Sequence, residues 1–371
     1  MIYFLVNNNY HMLDVNEHCK ELVEYKKSLI QIPHTLDIIT SNESFVNILT
    51  YETTFTGILN FFNIYKVKEK EREIKKSLNI TSDDILFVYT EYEVLNQYII
   101  YLFKKANAKV YIIEDGGFPT YLTFSVKNDD KLSFKQSVKK IYLNYFLGYD
   151  FVEFLKYNNI VFPLINEKFI DGVLLYLDVD IIRNIKKFII SKNQNKLSLD
   201  DDIAIFLNED MYSHYCTKEE YIKILENILL NMSKKFKKVY FKFHPRETAE
   251  NKQWQLKVIN QLSKITVIEE NMPVEILLEK YNAKYIFSFL SAALLNVNAM
   301  GVVPIYIYHL YPDISNNSVF KYISLILNKA NYKFMKADFN INNVGFKTDI
   351  KNSSTFMLNN FIEDIKYMSD R

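Results

Sequence analysis

The stretch Lys-Val-Tyr-Phe-Lys-Phe-His-Pro-Arg-Glu, residues 238–247, predicts a buried β-strand that ends in a group of charged side chains. Its first half has the apolar and aromatic composition of a strand. Since Pro245 cannot donate to a β-ladder, we expect the strand to end at His244. Ligands of open α/β sheets bind outside the carboxyl ends of the strands. Lys242, His244 and Arg246 would suit a phosphate there, and His244 could also donate a proton. The alternative is a strand-ending histidine with solvated basic neighbours.

Similar strand patterns alternate with helical ones along the chain, which predicts parallel βαβ units. Predicted strands cover residues 2–6, 36–39, 85–89, 110–113, 203–207, 265–268, 285–287 and 302–306. Predicted helices cover a segment up to about residue 29, then residues 55–78, 94–105, 218–232, 254–262, 274–281, 292–300 and 356–367.

This alternation favours an α/β protein of GT-B type, with two Rossmann-like domains whose parallel sheets face each other across a cleft. We expect the domains to cover residues 1–195 and 196–371, with the last helix packing back on the first domain. Periplasmic-type binding proteins and some kinases share this outline, so it does not decide the function.

Composition excludes several classes of function. The 371 residues have a formal net charge of +1, without the basic excess of a general nucleic-acid-binding protein, so no nucleic-acid partner is expected. The seven glycines form neither a GxGxxG fingerprint nor a Walker loop. The two cysteines lie far apart, as in a reducing compartment. We recognise no signal peptide and no bilayer-spanning run, and therefore expect a soluble, cytoplasmic protein.

An acidic pair and two glycines follow the predicted strand at residues 110–113. Adjacent residues of a strand point to opposite faces, so one of Glu114 and Asp115 would face a ligand while the other turns inward. Gly116 and Gly117 permit positive φ angles and close approach of a ligand to the backbone. A carboxylate here could deprotonate a sugar hydroxyl. The alternative is an acidic turn that closes the strand.

A serine-containing run at residues 287–294 leads from a predicted strand into a helix. Ser291 is placed to cap that helix, whose free amide groups would form an anion site. Ser288 is a second hydroxyl in the same run. The alternative is that Ser291 is a cap and nothing more.

Taken together, these three candidate sites resemble the motifs of bacterial sialyltransferases that use CMP-sialic acid. Glycosyltransferase family 52 and the capsular polysialyltransferases have Asp/Glu-Asp/Glu-Gly, His-Pro and Ser-Ser/Thr motifs in this order. The matching stretches are Glu114-Asp115-Gly116, His244-Pro245 and Ser291-Ala292. The second member of the serine motif is an alanine here, with Ser288 as a substitute, so the number of hydroxyl contacts to the phosphate is open.

The resemblance implies an inverting glycosyltransferase that needs no metal or other cofactor. The first domain would bind an oligosaccharide acceptor, with Asp115 as the general base, and the second would bind CMP-sialic acid as the donor. His244 would contact the phosphate of CMP and assist its departure, while Ser291 and Ser288 hold the same phosphate. The expected product is an α2,3 linkage to galactose on a bacterial surface glycan, such as a capsule or lipooligosaccharide.

Other residues complete the predicted set of substrate contacts. By the same resemblance Asn208 and Glu209, after the predicted strand at residues 203–207, would lie near the cytidine or the linkage. His11, beside Asn8 after the first strand, could face the acceptor. The remaining predicted contacts are Glu114, Gly116, Gly117, Lys242, Pro245 and Arg246.

Several alternatives stay open. One is another GT-B transferase that uses a CDP- or UDP-linked donor in capsule or teichoic-acid-type synthesis. Another is a non-catalytic two-lobed ligand-binding protein. Asp178-Val179-Asp180 has the DxD pattern of metal-binding transferases, but no other ligand set stands nearby, so we expect no metal. Peripheral association with the inner face of the membrane and a homodimer through the aromatic residues at 142–157 are open as well, although no amphipathic anchor stands out.

Overall fold

The computed structural model describes most of the chain. The described residues are 1–33, 44–52, 61–115, 117–125, 134–146, 148–157, 160–191, 197–210, 212–270, 272–297, 300–312, 314–328, 332–336, 344–346 and 357–369. The predicted strand at residues 36–39 and Gly116 lie outside these ranges. The chain divides into two compact units. Unit 1 is Met1–Asp115, Pro119–Asn193 and Ser353–Arg371, and unit 2 is Gly116–Phe118 and Gln194–Asn352.

The first half of the chain forms nine of the described strands. They are β1 (Ile2–Val6), β2 (Lys27–Gln31), β3 (Asn47–Thr50), β4 (Ile85–Val88), β5 (Lys109–Ile113), β6 (Val152–Tyr157), β7 (Ile160–Ile165), β8 (Gly172–Leu175) and β9 (Lys187–Ile189). Its helices are α1 (Asn9–Glu21), α2 (Phe61–Ser77), α3 (Val94–Lys105), α4 (Phe118–Ser125) and α5 (Phe134–Ile141).

Seven of these strands form one parallel sheet in the order β3-β2-β1-β4-β5-β8-β9, and β6 and β7 pair as a separate antiparallel hairpin. The strand order reverses between β1 and β4, the switch point of a doubly wound sheet. The strands β1, β4 and β5 are almost wholly buried because helices cover both faces of a parallel sheet.

The prediction of helix up to about residue 29 is wrong at its end. Helix α1 ends at Glu21, and Lys27–Gln31 is a fully buried strand between β1 and β3. Pairing on both sides satisfies the backbone of this strand, and the Lys27 ammonium donates to the carbonyl oxygen of Leu22 and to that of Tyr25 at 3.1 Å. Tertiary pairing thus overrides a local pattern of helical spacing.

The second half of the chain has the same architecture. Its described elements are β10 (Asp200–Leu207), α6 (Lys218–Lys235), β11 (Lys238–Lys242), α7 (Ala249–Ile259), β12 (Ile265–Ile268), α8 (Val274–Tyr281), β13 (Ala283–Ser288), α9 (Ala293–Val297), β14 (Val303–Tyr306), α10 (Ser318–Leu327), β15 (Lys333–Met335) and β16 (Val344–Phe346). The sheet order is β12-β11-β10-β13-β14-β15-β16, parallel except for the last pair. The switch point lies between β10 and β13.

The strand predicted to reach His244 ends at Lys242. The amide of Asn208 donates to the Lys242 carbonyl at 2.9 Å, which is the last contact of this ladder. The chain then turns, because the amide of Glu247 donates to the His244 carbonyl at 2.9 Å and Pro245 occupies the second position of that turn. His244 therefore lies two residues beyond the strand.

The last helix, α11 (Leu358–Ser369), packs in unit 1. Its side chains Leu358, Phe361 and Ile362 are buried in the same cluster as residues of β1 and α1. The Phe361 ring meets that of Tyr111 edge-on with centroids 5.0 Å apart. Among helices within the described residues, none is both long and apolar enough to cross a bilayer.

Candidate functional site

At the carboxyl edge of the unit 2 sheet, His244 and Arg246 surround one carboxylate. Asp210, three residues after β10, lies 3.5 Å from His244 Nδ1 and 3.2 Å from Arg246 Nε. The two elements meet because β10 and β11 are parallel neighbours whose carboxyl ends lie side by side. Arg246 and Pro245 are exposed, and His244 is half-buried.

The Nδ1 atom of His244 lies beside the backbone N–H of Arg246 as well as beside Asp210. The N–H of Arg246 donates to Nδ1 at 3.3 Å, which favours the neutral tautomer with its proton on Nε2. Partial burial lowers the pKa of His244 below its ordinary 6.5, and Asp210 acts in the opposite direction. Burial also lowers the pKa of Lys242, another basic residue of this edge. An anion bound here would raise the pKa of both groups and so offset the effect of burial.

Asn208 is buried, and its side chain is used inside unit 2. Its amide group donates to Glu247 Oε2 at 2.8 Å and to Gln255 Oε1 at 3.0 Å, and its oxygen accepts from the hydroxyl of Tyr221. These bonds join β10 to α6 and α7. Asn208 therefore has a structural role in unit 2, and its predicted place near the cytidine or the linkage stays a prediction.

Glu209 is also buried rather than open to a ligand, because it joins the end of β10 to the turn after β13. Its Oε1 accepts from the backbone N–H of Leu290 and from the Ser288 hydroxyl at 3.1 Å. Burial raises the pKa of Glu209 to about 7, although both hydrogen bonds act in the opposite direction. Its Oε2 has no hydrogen-bond partner among the described residues.

The serine run offers one accessible hydroxyl rather than two. Ser288 is fully buried, and its hydroxyl also lies 2.9 Å from the Leu207 carbonyl oxygen. Its place at the buried end of β13 gives this hydroxyl a structural role, and its predicted contact with a phosphate stays a prediction. Ser291 is half-buried, and its Oγ accepts from the Ala293 amide at 3.4 Å, at the start of α9. This arrangement matches the predicted cap and leaves the hydroxyl at the sheet edge.

The acidic pair of unit 1 divides between the interior and the surface. Glu114 is buried at the end of β5 and accepts from the Tyr121 hydroxyl and from the Tyr176 amide at 2.8 Å. Asp115 is half-buried and accepts from the Thr120 hydroxyl at 2.6 Å. The predicted division between one inward and one outward carboxylate is therefore what the structure has. Gly117 follows at a half-buried position.

His11, which we predicted could face the acceptor, lies in the interior of unit 1. Its side chain is buried, its ring stacks on that of Tyr89 with centroids 4.8 Å apart, and Nδ1 accepts from the Asn7 amide at 3.1 Å. The cause is local, since Asn8 caps α1 through the His11 amide at 2.9 Å and turns the helix inward over the sheet. Asn8 itself is exposed.

The described residues contain no group of three or more His, Cys, Asp or Glu side chains that could hold a metal ion. Asp178, from the DxD tripeptide, pairs with the Lys187 ammonium at 2.6 Å. Two residues of the site were missed from the sequence: Asp210, which pairs with His244, and Thr120, which holds Asp115. Asp210 follows β10, the strand that pairs with β11. This position beside the strand that precedes His244 is the signal by which the sequence could have indicated it.

Comparisons with known proteins identify relatives. The model of the family described as Alpha-2,8-polysialyltransferase (POLYST) matches residues 3–308. The structure of UDP-GlcNAc 2-epimerase from Methanocaldococcus jannaschii aligns over 99% of this chain and 100% of that chain, with a TM-score of 0.54 and 11% identity. The same enzyme with UDP-GlcNAc and UDP aligns over the same shares, with a TM-score of 0.51 and 12% identity.

A further solved structure, the α/β-galactoside α-2,3-sialyltransferase of Photobacterium phosphoreum, has a TM-score of 0.49 and 15% identity over 88% of this chain and 95% of that chain. A comparison with curated protein sequences finds no match. The epimerase alignments, together with the two doubly wound sheets, confirm the predicted α/β fold of GT-B type.

Proposed function

The chain belongs to the alpha-2,8-polysialyltransferase family, and from this membership we propose that it transfers sialic acid from CMP-sialic acid to a hydroxyl of a sugar acceptor. The observation that carries the proposal is the family match over residues 3–308. The protein is accordingly a glycosyltransferase, and the proposal concerns its donor, its residues and its product.

Asp115 is the proposed general base. Its carboxylate is half-buried, at the end of a central strand, and is held by Thr120. It takes the proton of the acceptor hydroxyl as that oxygen attacks the anomeric carbon of sialic acid. The bond from this carbon to the phosphate oxygen of CMP breaks, and its electron pair stays on that oxygen. Because the hydroxyl attacks from the face opposite the phosphate, the configuration at the carbon inverts. Glu114, paired to Tyr121 and the Tyr176 amide, holds the backbone beside the base.

His244 is the proposed partner of the departing phosphate. When Nδ1 accepts from the backbone N–H of Arg246, the neutral ring has its N–H on Nε2. This N–H is a donor for a phosphate oxygen. Lys242, Arg246 and the Ser291 hydroxyl supply further charge and hydrogen bonds at the same sheet edge. The pKa of His244, lowered by burial, would rise beside the singly charged phosphate of the bound donor, and the imidazolium would stabilise the second negative charge that develops on CMP as it leaves.

We propose that the reaction needs no divalent metal, because CMP leaves as a phosphate monoester that these cations can stabilise. The finer points of the product are also proposals. The description of the family names α-2,8 linkages, which favours a sialic acid acceptor. The α2,3 linkage to galactose, which the resemblance of the motifs implies, is the alternative product. A test of the product must distinguish these two linkages. A cytoplasmic location, where nucleotide sugars are used, completes the proposal.

A thermal-shift titration with CMP, CDP, UDP and GDP, each with and without EDTA, tests the donor. We expect CMP to raise the unfolding temperature in the presence of EDTA, and the diphosphates to have little effect. A shift by a diphosphate that EDTA abolishes would contradict the proposal and favour a CDP- or UDP-dependent transferase. If CMP binds without any detectable sialyl transfer, and neither Asp115→Asn nor His244→Ala changes the affinity for CMP, the protein is a ligand-binding protein instead.

A further inference from the structure

Two groups of opposite hydrogen-bond character lie beside Nδ1 of His244. The backbone N–H of Arg246, a donor, is 3.3 Å away, and Oδ1 of Asp210, an acceptor, is 3.5 Å away. A neutral ring with an unprotonated Nδ1 accepts from the first group. An imidazolium, whose two ring nitrogens both donate, can bond only to the second. The surroundings of this one nitrogen therefore suit both protonation states of the ring.

Asp210 is held in place by the two residues before it. The amide of Asn208 donates to the Lys242 carbonyl oxygen at 2.9 Å, and the carboxylate of Glu209 accepts from the backbone N–H of Leu290. Asn208 and Glu209 are both buried, whereas the side chain of Asp210 is 22% exposed. These buried contacts fix the backbone from which Asp210 reaches the histidine.

The charged groups around the ring act on it in opposite directions. Burial lowers the pKa of His244, and among the charged neighbours Asp210 raises this pKa while Arg246 and Lys242 lower it. The carboxylate of Glu247, in the same turn, is used inside unit 2 instead. A bound phosphate would favour the imidazolium, and Asp210 is then the anion beside its second N–H.

We propose that Asp210 is a positioning residue for the transfer: when the donor binds and the ring of His244 takes up a proton from water, Asp210 accepts from Nδ1–H and so directs Nε2–H at the phosphate oxygen. This role rests on the proposed function of His244. The ring exchanges its partner at Nδ1, from the N–H of Arg246 to Asp210, as it gains the proton. Without Asp210 the new Nδ1–H would lie beside another donor, and the ring would more often be neutral as CMP leaves.

A pairing of Asp210 with Arg246 alone explains less. The nearest atoms of that pair, Oδ2 and Nε, are 3.2 Å apart, but the Arg246 side chain is 71% exposed. An ion pair so open to water contributes little. The other oxygen, Oδ1, is as near to Nδ1 of His244 as to Nη2 of Arg246, at 3.5 Å each.

NMR of the full chain with ring-labelled histidine tests the pairing, with and without CMP. The protein has six histidines, and the signal that is missing from His244→Ala identifies the one that matters. The test variant is Asp210→Asn. The matched control is Asp202→Asn, which removes the same charge near the other end of β10, where Asp202 pairs with Lys237 at 2.9 Å.

We expect His244 to titrate at lower pH in Asp210→Asn and at an unchanged pH in Asp202→Asn. Asp210→Glu keeps the charge and should move the titration back toward that of the wild type. Where the wild type transfers sialic acid, Asp210→Asn should lower kcat roughly threefold to tenfold, most at high pH, where the ring is least protonated. KM should not rise, because the variant has lost a negative charge beside the phosphate.

Two results would overturn the proposal. One is the same titration of His244 in Asp210→Asn as in Asp202→Asn. The other is a wild-type kcat and pH profile for Asp210→Asn in preparations that transfer sialic acid. A wild type that transfers nothing would sink the proposed function alone, because the titration of His244 would still show whether Asp210 accepts from Nδ1.

Discussion

Replacement of Glu209 by Gln tests the buried connection between β10 and the turn after β13. The glutamine oxygen can still accept from the Leu290 amide, as Glu209 Oε1 does now. Its NH₂ group takes the place of Oε2, which has no partner among the described residues. An unsatisfied buried donor costs about 1–3 kcal/mol. This cost is the same at every pH, whereas the titration of the carboxyl group is lost.

The magnitude follows from the pKa of Glu209, which burial raises from the ordinary 4.5 to about 7. The folded protein binds this proton more tightly than the unfolded chain does. The free energy of unfolding therefore falls as the pH rises from 4.5 to about 7, and it levels off above that. At about 1.4 kcal/mol for each pH unit, the contribution of Glu209 is roughly 3 kcal/mol. The Gln variant should escape this loss.

Urea unfolding followed by tryptophan fluorescence measures the effect. The single tryptophan, Trp254, is buried on α7 and reports on unit 2. Between about pH 5 and about pH 8 the wild type should lose roughly 3 kcal/mol more than Glu209→Gln. Other titrating groups, such as His244 and Glu247, are shared by both proteins and cancel in this comparison. If the two proteins lose equal amounts of unfolding free energy, the argument that Glu209 titrates with a raised pKa is refuted.

The remaining predictions concern the proposed site. Asp115→Asn should lower turnover about 10²–10⁴-fold and leave CMP binding nearly unchanged by calorimetry; wild-type turnover would end the role of Asp115 as the base. His244→Ala should weaken CMP binding, and the rise in wild-type affinity as the pH falls toward the lowered pKa of His244 should disappear; an unaltered pH profile would contradict the phosphate contact. Ser291→Ala should mainly weaken CMP binding, with only the small loss of stability that one long cap hydrogen bond supplies, whereas Ser288→Ala should mainly lower stability, by about 1 kcal/mol, through its buried hydrogen bonds. The opposite assignment of these two effects would exchange the roles of the serines.

The sequence was sufficient for the central elements of each sheet. Strands β1 and β4, and the later residues of β5 and β10, are continuous apolar runs because helices cover both faces of a parallel sheet, and such runs are readable locally. Strand β2 was not readable, because Lys27, Ser28 and Gln31 resemble a surface segment until neighbouring strands enclose them. Tertiary pairing decides such cases.

For the candidate site, the sequence indicated the carboxyl ends of the strands but not the orientation of each side chain. Asp115 and His244 could be placed there because each lies two residues after a strand that is readable from the sequence. Glu209 and Ser288 look like exposed polar residues in the sequence, and their burial arises from the meeting of two strand ends far apart in the chain.

Incubation of the protein with CMP-sialic acid in EDTA, together with a sialylated and a galactose-terminated oligosaccharide, tests the central claim most directly. Mass spectrometry of the acceptors and chromatography of the nucleotide should show sialyl residues added and CMP released in equal amounts, with the reaction slowed by Asp115→Asn. An active preparation that leaves both acceptors unmodified, but transfers sugar from a CDP- or UDP-linked donor, would contradict the assignment.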